Sequence, residues 1–133
     1  MKITLCSSMT FIENIACVGK ILEEKGHMIF LPIMTNFKEE TKRYAEHSEA
    51  KISHDLIREH FKKIDNSEAI LVLNYDKNGI KGYIGGNSFL EMGKAYDNGI
   101  KIFLLNPIPK MSYTDEIIAM QPIVIHGNLE LIK

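Results

Sequence analysis

Cysteine is scarce in this chain. Cys6 and Cys17 are the only two in 133 residues, and their spacing matches neither a disulfide framework nor a zinc site, so both are expected to be reduced and mostly buried. An excess of one charge is missing too. Lys and Arg number 16 against 17 Asp and Glu, a formal net charge of −1 at pH 7, which gives no electrostatic basis for binding polymeric nucleic acid or a membrane surface. No apolar run nears the ~20 residues that span a bilayer. The segment Met1–Cys6 has a single positive charge and too short an apolar run for a signal peptide, so a cytoplasmic location is expected. Repeats, linkers and low-complexity stretches are absent as well. What remains is an ordinary globular balance, 45% hydrophobic and 25% charged, and a length that suits one domain over residues 1–133.

Several ligand-binding motifs are also missing. No arginine follows Cys6 within the next several residues, which excludes a phosphatase-type anion loop, and no Gly-Lys-Ser/Thr ending makes a P-loop. The glycines follow the third expected strand rather than the first and lack the spaced dinucleotide fingerprint, so nicotinamide binding is disfavoured. His27, His47, His54, His60 and His126 are scattered without metal-ligand spacing. They read as surface or helix-face residues, and neither a metal nor a cofactor is assigned.

Strands and helices alternate along the chain. Ile3–Cys6 reads as a first strand, left through the polar turn Cys6-Ser7-Ser8-Met9. Thr10-Phe11-Ile12-Glu13 is a capping-box pattern opening a helix with apolar positions Ile12, Ile15, Ala16, Gly19 and Leu22, ended by Gly26. Met28–Leu31 is a second strand closed by Pro32. The charged stretch Asn36–Ala50 reads as a solvated helix or a mobile segment, a lid being the less favoured alternative. A helix from about Ser53 to Ile64 carries Leu56, Ile57, Phe61 and Ile64 on its apolar stripe. The runs Ala69–Leu73 and Lys101–Leu105 have the continuous hydrophobicity of buried parallel strands. Between them lies a helix from Ser88 to Asn98, and after them a short helix near Thr114–Met120 and a last strand, Ile123–Ile125. This pattern predicts a three-layer α/β sandwich with a mostly parallel, five-stranded sheet in the flavodoxin- or Rossmann-like order 2-1-3-4-5, and a ligand crevice between strands one and three.

The chain is organised around Lys81-Gly82-Tyr83-Ile84-Gly85-Gly86-Asn87-Ser88-Phe89-Leu90-Glu91-Met92-Gly93-Lys94-Ala95. A strand, a glycine loop and a helix start aim this stretch at the carboxyl edge of the sheet. Glu91 has two readings. In the first, Ser88-Phe89-Leu90-Glu91 is a capping box, a common pattern. In the second, Glu91 is a carboxylate facing the cleft, held ionised near a helix start and ready to act as a nucleophile or to balance a developing cation. A cap alone needs neither Gly82, Gly85 and Gly86 ahead of it nor Gly93 and Ala95 behind it. The expected crevice is lined by Cys6, Ser7, Ser8 and Met9, the loop from Asn74 to Asn87, Glu91 and Asn106. It offers hydroxyls, amides and one carboxylate without a cationic clamp, which suits a neutral or lightly charged ligand such as a sugar ring.

Residues Gly82–Tyr96, followed by Gly99-Ile100-Lys101-Ile102-Phe103-Leu104-Leu105, resemble the signature of the nucleoside 2-deoxyribosyltransferase family, whose superfamily includes the 2-deoxynucleoside 5-phosphate N-hydrolases. The resemblance covers most of the chain in the order of elements, with residue matches concentrated between Ala69 and Leu105. It implies that Glu91 attacks the anomeric carbon of a (deoxy)ribosyl group and holds it as an ester, which water or a second base then takes up. It also implies contacts to sugar or phosphate from Tyr83, Gly85, Gly86, Asn87 and Ser88. The transferases carry an aspartate six residues before the glutamate, where this chain has Gly85. The hydrolases use an aspartate on the helix before the central strand, for which Asp55 and Asp65 are the nearest matches, Asp65 reading equally well as a turn residue with Asn66 and Ser67. The expected activity is thus cleavage or transfer of the N-glycosidic bond of a small nucleoside or nucleotide, hydrolysis ahead of transfer, with Glu91 and Asp65 as catalytic residues. The alternative is a nucleotide-sensing module that keeps the fold without a competent acid. A homodimer is also expected, from apolar surface on Phe89, Tyr96, Pro107-Ile108-Pro109, Met111 and Tyr113 and from the family's habit of assembly.

Overall fold

The computed structural model describes residues 1–32 and 55–133. The charged stretch Asn36–Ala50 and the expected helix start at Ser53 fall outside the described residues. The described strands are β1 (Lys2–Cys6), β2 (Met28–Phe30), β3 (Ala69–Val72), β4 (Lys101–Leu104) and β5 (Ile123–Val124). The helices are α1 (Ile12–Glu24), α2 (Leu56–Asp65), α3 (Gly86–Asp97) and α4 (Thr114–Ala119), with 3-10 turns at Met9–Phe11 and Leu129–Leu131. The five strands form one sheet in the order β2-β1-β3-β4-β5, parallel throughout. This is the predicted architecture and order.

The period-2 alternation of strand side chains divides the core in two. Ile3, Leu5, Leu71, Leu73, Phe103 and Leu105 face one side and pack with Ile15 and Leu22 of α1. Cys6, Ile70, Val72, Ile102 and Leu104 face the other side, against Ile64 of α2, Met92 and Ala95 of α3 and Ile117 of α4. Every residue of β3 is buried because helices cover both its faces.

The ends of elements differ from the expected caps. Ser8, not Thr10, starts the first helical segment: its Oγ accepts from the Thr10 amide at 3.4 Å, and α1 itself begins without a side-chain cap. Cys17 is exposed, contrary to expectation. It lies outside the Ile15, Gly19 and Leu22 stripe that α1 buries, as does the exposed Ala16. Gly26 ends α1 with φ +94° and Gly99 follows α3 with φ +70°, both as expected of left-handed helix caps.

Three polar locks hold the loops at the carboxyl edge. Asn74, buried after β3, receives the Asn106 amide on its Oδ1 at 2.9 Å, and its Nδ2 donates to the carbonyls of Asn106, Pro107 and Gly82. Asp76 Oδ1 accepts from the Gly82 amide at 2.9 Å. Gly82 needs its glycine: its φ is +67°, and a Cβ there would lie 2.8 Å from the Pro107 carbonyl oxygen. Lys77 and Ile80 exchange backbone hydrogen bonds across Asn78 and Gly79, both with positive φ, a tight Asn-Gly turn that fixes where Lys77 stands.

Candidate active site

A cleft of about 360 Å³ opens at the carboxyl ends of β1 and β3, where successive crossovers leave the sheet in opposite directions. Its walls are Ser7–Thr10 after β1, the face of α2 from Leu56 to Phe61, the loop residues Lys77, Tyr83 and Gly85, and the start of α3 from Gly86 to Glu91. Of the expected site residues it collects Ser7, Ser8, Tyr83, Gly85, Gly86, Asn87, Ser88 and Glu91.

Helix α3 begins at Gly86 on the extended Gly85, with no side-chain cap and no acidic residue in its first turn. The capping-box reading of Ser88 and Glu91 therefore fails. Ser88 lies inside the helix and is buried, and Glu91 falls in the second turn, where its carboxylate cannot reach a free amide at the helix start. The Gly85 carbonyl accepts the Phe89 amide, and the absence of a Cβ at Gly85 lets the Tyr83 ring approach, 3.3 Å from where that atom would be. Gly93, expected to let the helix lie close on the sheet, is exposed with open space where a Cβ would go. That close packing comes from the fully buried Met92 and Ala95.

The Glu91 side chain is only 10% exposed and touches Nδ1 of His60. The contact lacks the direction of a hydrogen bond, and both Glu91 Oε2 and His60 Nε2 are buried without a hydrogen-bond partner among the described residues. Beneath them is Cys6. Burial first, and then the Glu91 charge, raise its thiol well above the usual range. Across the cleft Lys77 Nζ donates to Ser8 Oγ at 2.7 Å and stands 5.9 Å from the centre of the Tyr83 ring.

Three expected site residues are placed elsewhere. Cys6 is the buried last residue of β1 with its side chain in the core, so it does not line the cleft. Asn106 is tied to Asn74 and borders a separate depression with Tyr75, Asp76 and Gly82. Asp65 is exposed at the end of α2, where Asn98 Nδ2 donates to it at 2.8 Å and Lys94 Nζ lies 3.3 Å away. The Asn98 hydrogen bond, more than Lys94, holds its carboxyl below the usual range. Its contacts are with the far end of α3, away from Glu91.

His60 is a polar cleft residue that the sequence did not single out, and Lys77, inside the expected lining loop from Asn74 to Asn87, was given no role of its own. A signal for His60 was present: at four after Leu56 and three after Ile57 it falls on the apolar stripe of α2, which a surface histidine need not do. Lys77 carried no signal beyond following a strand that ends at the cleft.

No family model and no curated protein matches the chain by sequence. Solved structures share its fold. A 2-deoxyribosyltransferase from the psychrotolerant bacterium Bacillus psychrosaccharolyticus aligns with a TM-score of 0.53 at 19% identity, over 80% of this chain and 73% of that one. A CMP N-glycosidase of Clostridium botulinum, BcmB, aligns with a TM-score of 0.55 at 14% identity, over 95% of this chain and 90% of that one. This chain shares their α/β fold.

Proposed function

We propose that the protein cleaves or transfers the N-glycosidic bond of a (deoxy)nucleoside or nucleoside 5-monophosphate, with Glu91 as the nucleophile. The observation that carries this reading is the Glu91 carboxylate itself, buried in the wall of the cleft with one oxygen lacking a hydrogen-bond partner among the described residues. In this reading a Glu91 oxygen attacks C1 of the sugar as the C1–N bond breaks, and the bonding pair leaves on the base. The transition state has oxocarbenium character, so a carboxylate beside C1 stabilises it. Water then takes the sugar from the ester in hydrolysis, and a second base takes it in transfer.

The departing base needs a proton. Asp65 is too far along α2 to serve, and we assign the role to His60, the titratable group in contact with Glu91. Lys77, Ser8 and the start of α3 form a positively polarised end of the cleft, suited to a 5-phosphate. The likeness to a CMP N-glycosidase agrees with a nucleotide substrate. Tyr83, Asn87 and Ser88 then contact the sugar.

The test is incubation with a panel of nucleosides and 5-monophosphates, with released base followed by chromatography. Release of base supports the proposal, and incorporation of an added second base assigns transfer over hydrolysis. Binding without release would replace it with the sensing module. We further propose a homodimer. Phe89 is stacked on Tyr113 with ring centres 4.5 Å apart, so part of the expected apolar patch is satisfied internally, but Leu90 and Tyr96 on α3 remain half exposed. Light scattering that gives a monomer mass at micromolar concentration would reject it.

A further inference from the structure

Cys6, His60 and Glu91 come from three different elements, β1, α2 and α3. One ligand-type atom from each lies within 4.8 Å of the others. Cys6 is fully buried and the other two side chains are nearly so. Glu91 Oε2 and His60 Nε2 lack hydrogen-bond partners among the described residues, a state that buried polar groups avoid. A packing contact explains little of this, because it turns a carboxylate, an imidazole and a thiol on one another with only the His60–Glu91 contact and a long thiol hydrogen bond to the Thr4 carbonyl between them. We propose that Cys6, His60 and Glu91 form a Zn²⁺ site, three protein ligands with the remaining position open to the cleft.

The donor set selects the ion. Thiolate and imidazole suit a borderline-soft metal that takes four ligands, whereas Mg²⁺ and Ca²⁺ take oxygens. With Zn–S near ~2.3 Å and Zn–N and Zn–O near ~2.1 Å, a tetrahedron sets neighbouring donors roughly 3.3–3.8 Å apart. Atoms now within 4.8 Å of one another reach that spacing by small side-chain rotations. On binding, the Cys6 thiol releases its proton to solvent and coordinates as the thiolate. Glu91 exchanges its contact with His60 for the metal. His60 and Glu91 line the cleft, which supplies the entry path. One consequence rests on the glycosyl-transfer reading: a Zn²⁺ ion here engages the nucleophile and the proton donor together, so the loaded protein is the silent form.

The test is titration of the chelator-stripped full chain with Co²⁺ and then Zn²⁺. The expected result is one Co²⁺ per chain with a sulfur-to-cobalt charge-transfer band in the near ultraviolet, displaced by one equivalent of Zn²⁺. Cys6→Ser should abolish that band, while Cys17→Ser, at an exposed position on α1, should leave it. His60→Asn and Glu91→Gln should each weaken Zn²⁺ at least about 100-fold in competition with a chromophoric chelator. Absence of the band in the unmodified protein overturns the proposal, as does Zn²⁺ affinity unchanged in His60→Asn and Glu91→Gln. Those two variants decide the matter if Cys6→Ser does not fold. The readout needs no turnover, so a protein that binds Zn²⁺ but releases no base even after chelator stripping loses only the activity proposal, and one that releases base without binding Zn²⁺ loses only this one.

Discussion

Replacing Glu91 by Gln separates a structural role from a chemical one. The side chain is 10% exposed, its Oε2 touches His60 but has no hydrogen bond among the described residues, and α3 starts too early for it to cap the helix. A buried carboxylate so poorly compensated is a burden on the fold, and a neutral amide of the same shape relieves part of the desolvation penalty. Glu91→Gln is therefore expected to be as stable as the parent or more so, by up to about 2 kcal/mol in urea unfolding followed by circular dichroism. Activity should move the other way. Gln can neither form the glycosyl ester nor balance the oxocarbenium charge, and a loss on the order of 10³-fold or more in base release is expected, about 4 kcal/mol of transition-state stabilisation. Ser88→Ala is the companion variant, since it touches the same helical turn but leaves the carboxylate. Base release by Glu91→Gln within about tenfold of the parent would refute the nucleophile assignment. A fall in stability of more than about 3 kcal/mol would show that the contacts of Glu91 hold the fold together.

Lys77→Met should raise KM for a nucleoside 5-monophosphate by about 10–100-fold while leaving the parent nucleoside little changed, because a charged hydrogen bond to phosphate contributes about 1.5–3 kcal/mol. Equal effects on both substrates in steady-state kinetics would remove Lys77 from phosphate binding. Gly82→Ala should destabilise the protein by about 2–4 kcal/mol, from the strained φ and the collision with the Pro107 carbonyl; an unchanged urea midpoint would refute that. Asp65→Asn should leave base release within about threefold of the parent, since Asp65 sits outside the cleft. Its carboxyl is held below the usual range in the folded protein, so the stability it adds is present above the ordinary carboxylate range and fades as the pH falls through it. Only below that range should the two proteins converge in urea midpoint.

The sheet and its order were legible in the sequence because they rest on local signals. Ala69–Val72 and Lys101–Leu104 are nearly continuous apolar runs, which only strands covered on both faces require, and Gly26 and Gly99 mark helix ends by a φ that other residues rarely take. The glycine loop and Glu91 were legible as a unit for the same reason. Helix starts were less so: Ser88 and Glu91 have the spacing of a capping box, yet the helix already begins at Gly86 on the extended Gly85, which puts Ser88 inside it. Which side chains meet Glu91 lay beyond the sequence. Cys6, His60 and Glu91 are far apart along the chain, and nothing in their spacing relates them; parallel pairing of β1 with β3 and the packing of α2 on α3 bring them within 4.8 Å. The same packing turned Asp65 toward Asn98 and Lys94 and locked Asn106 onto Asn74. Local periodicity thus determined the layers and the sheet edge that carries the cleft. Side-chain company within that cleft depends on long-range contacts, and these were decided only when the helices docked on the sheet.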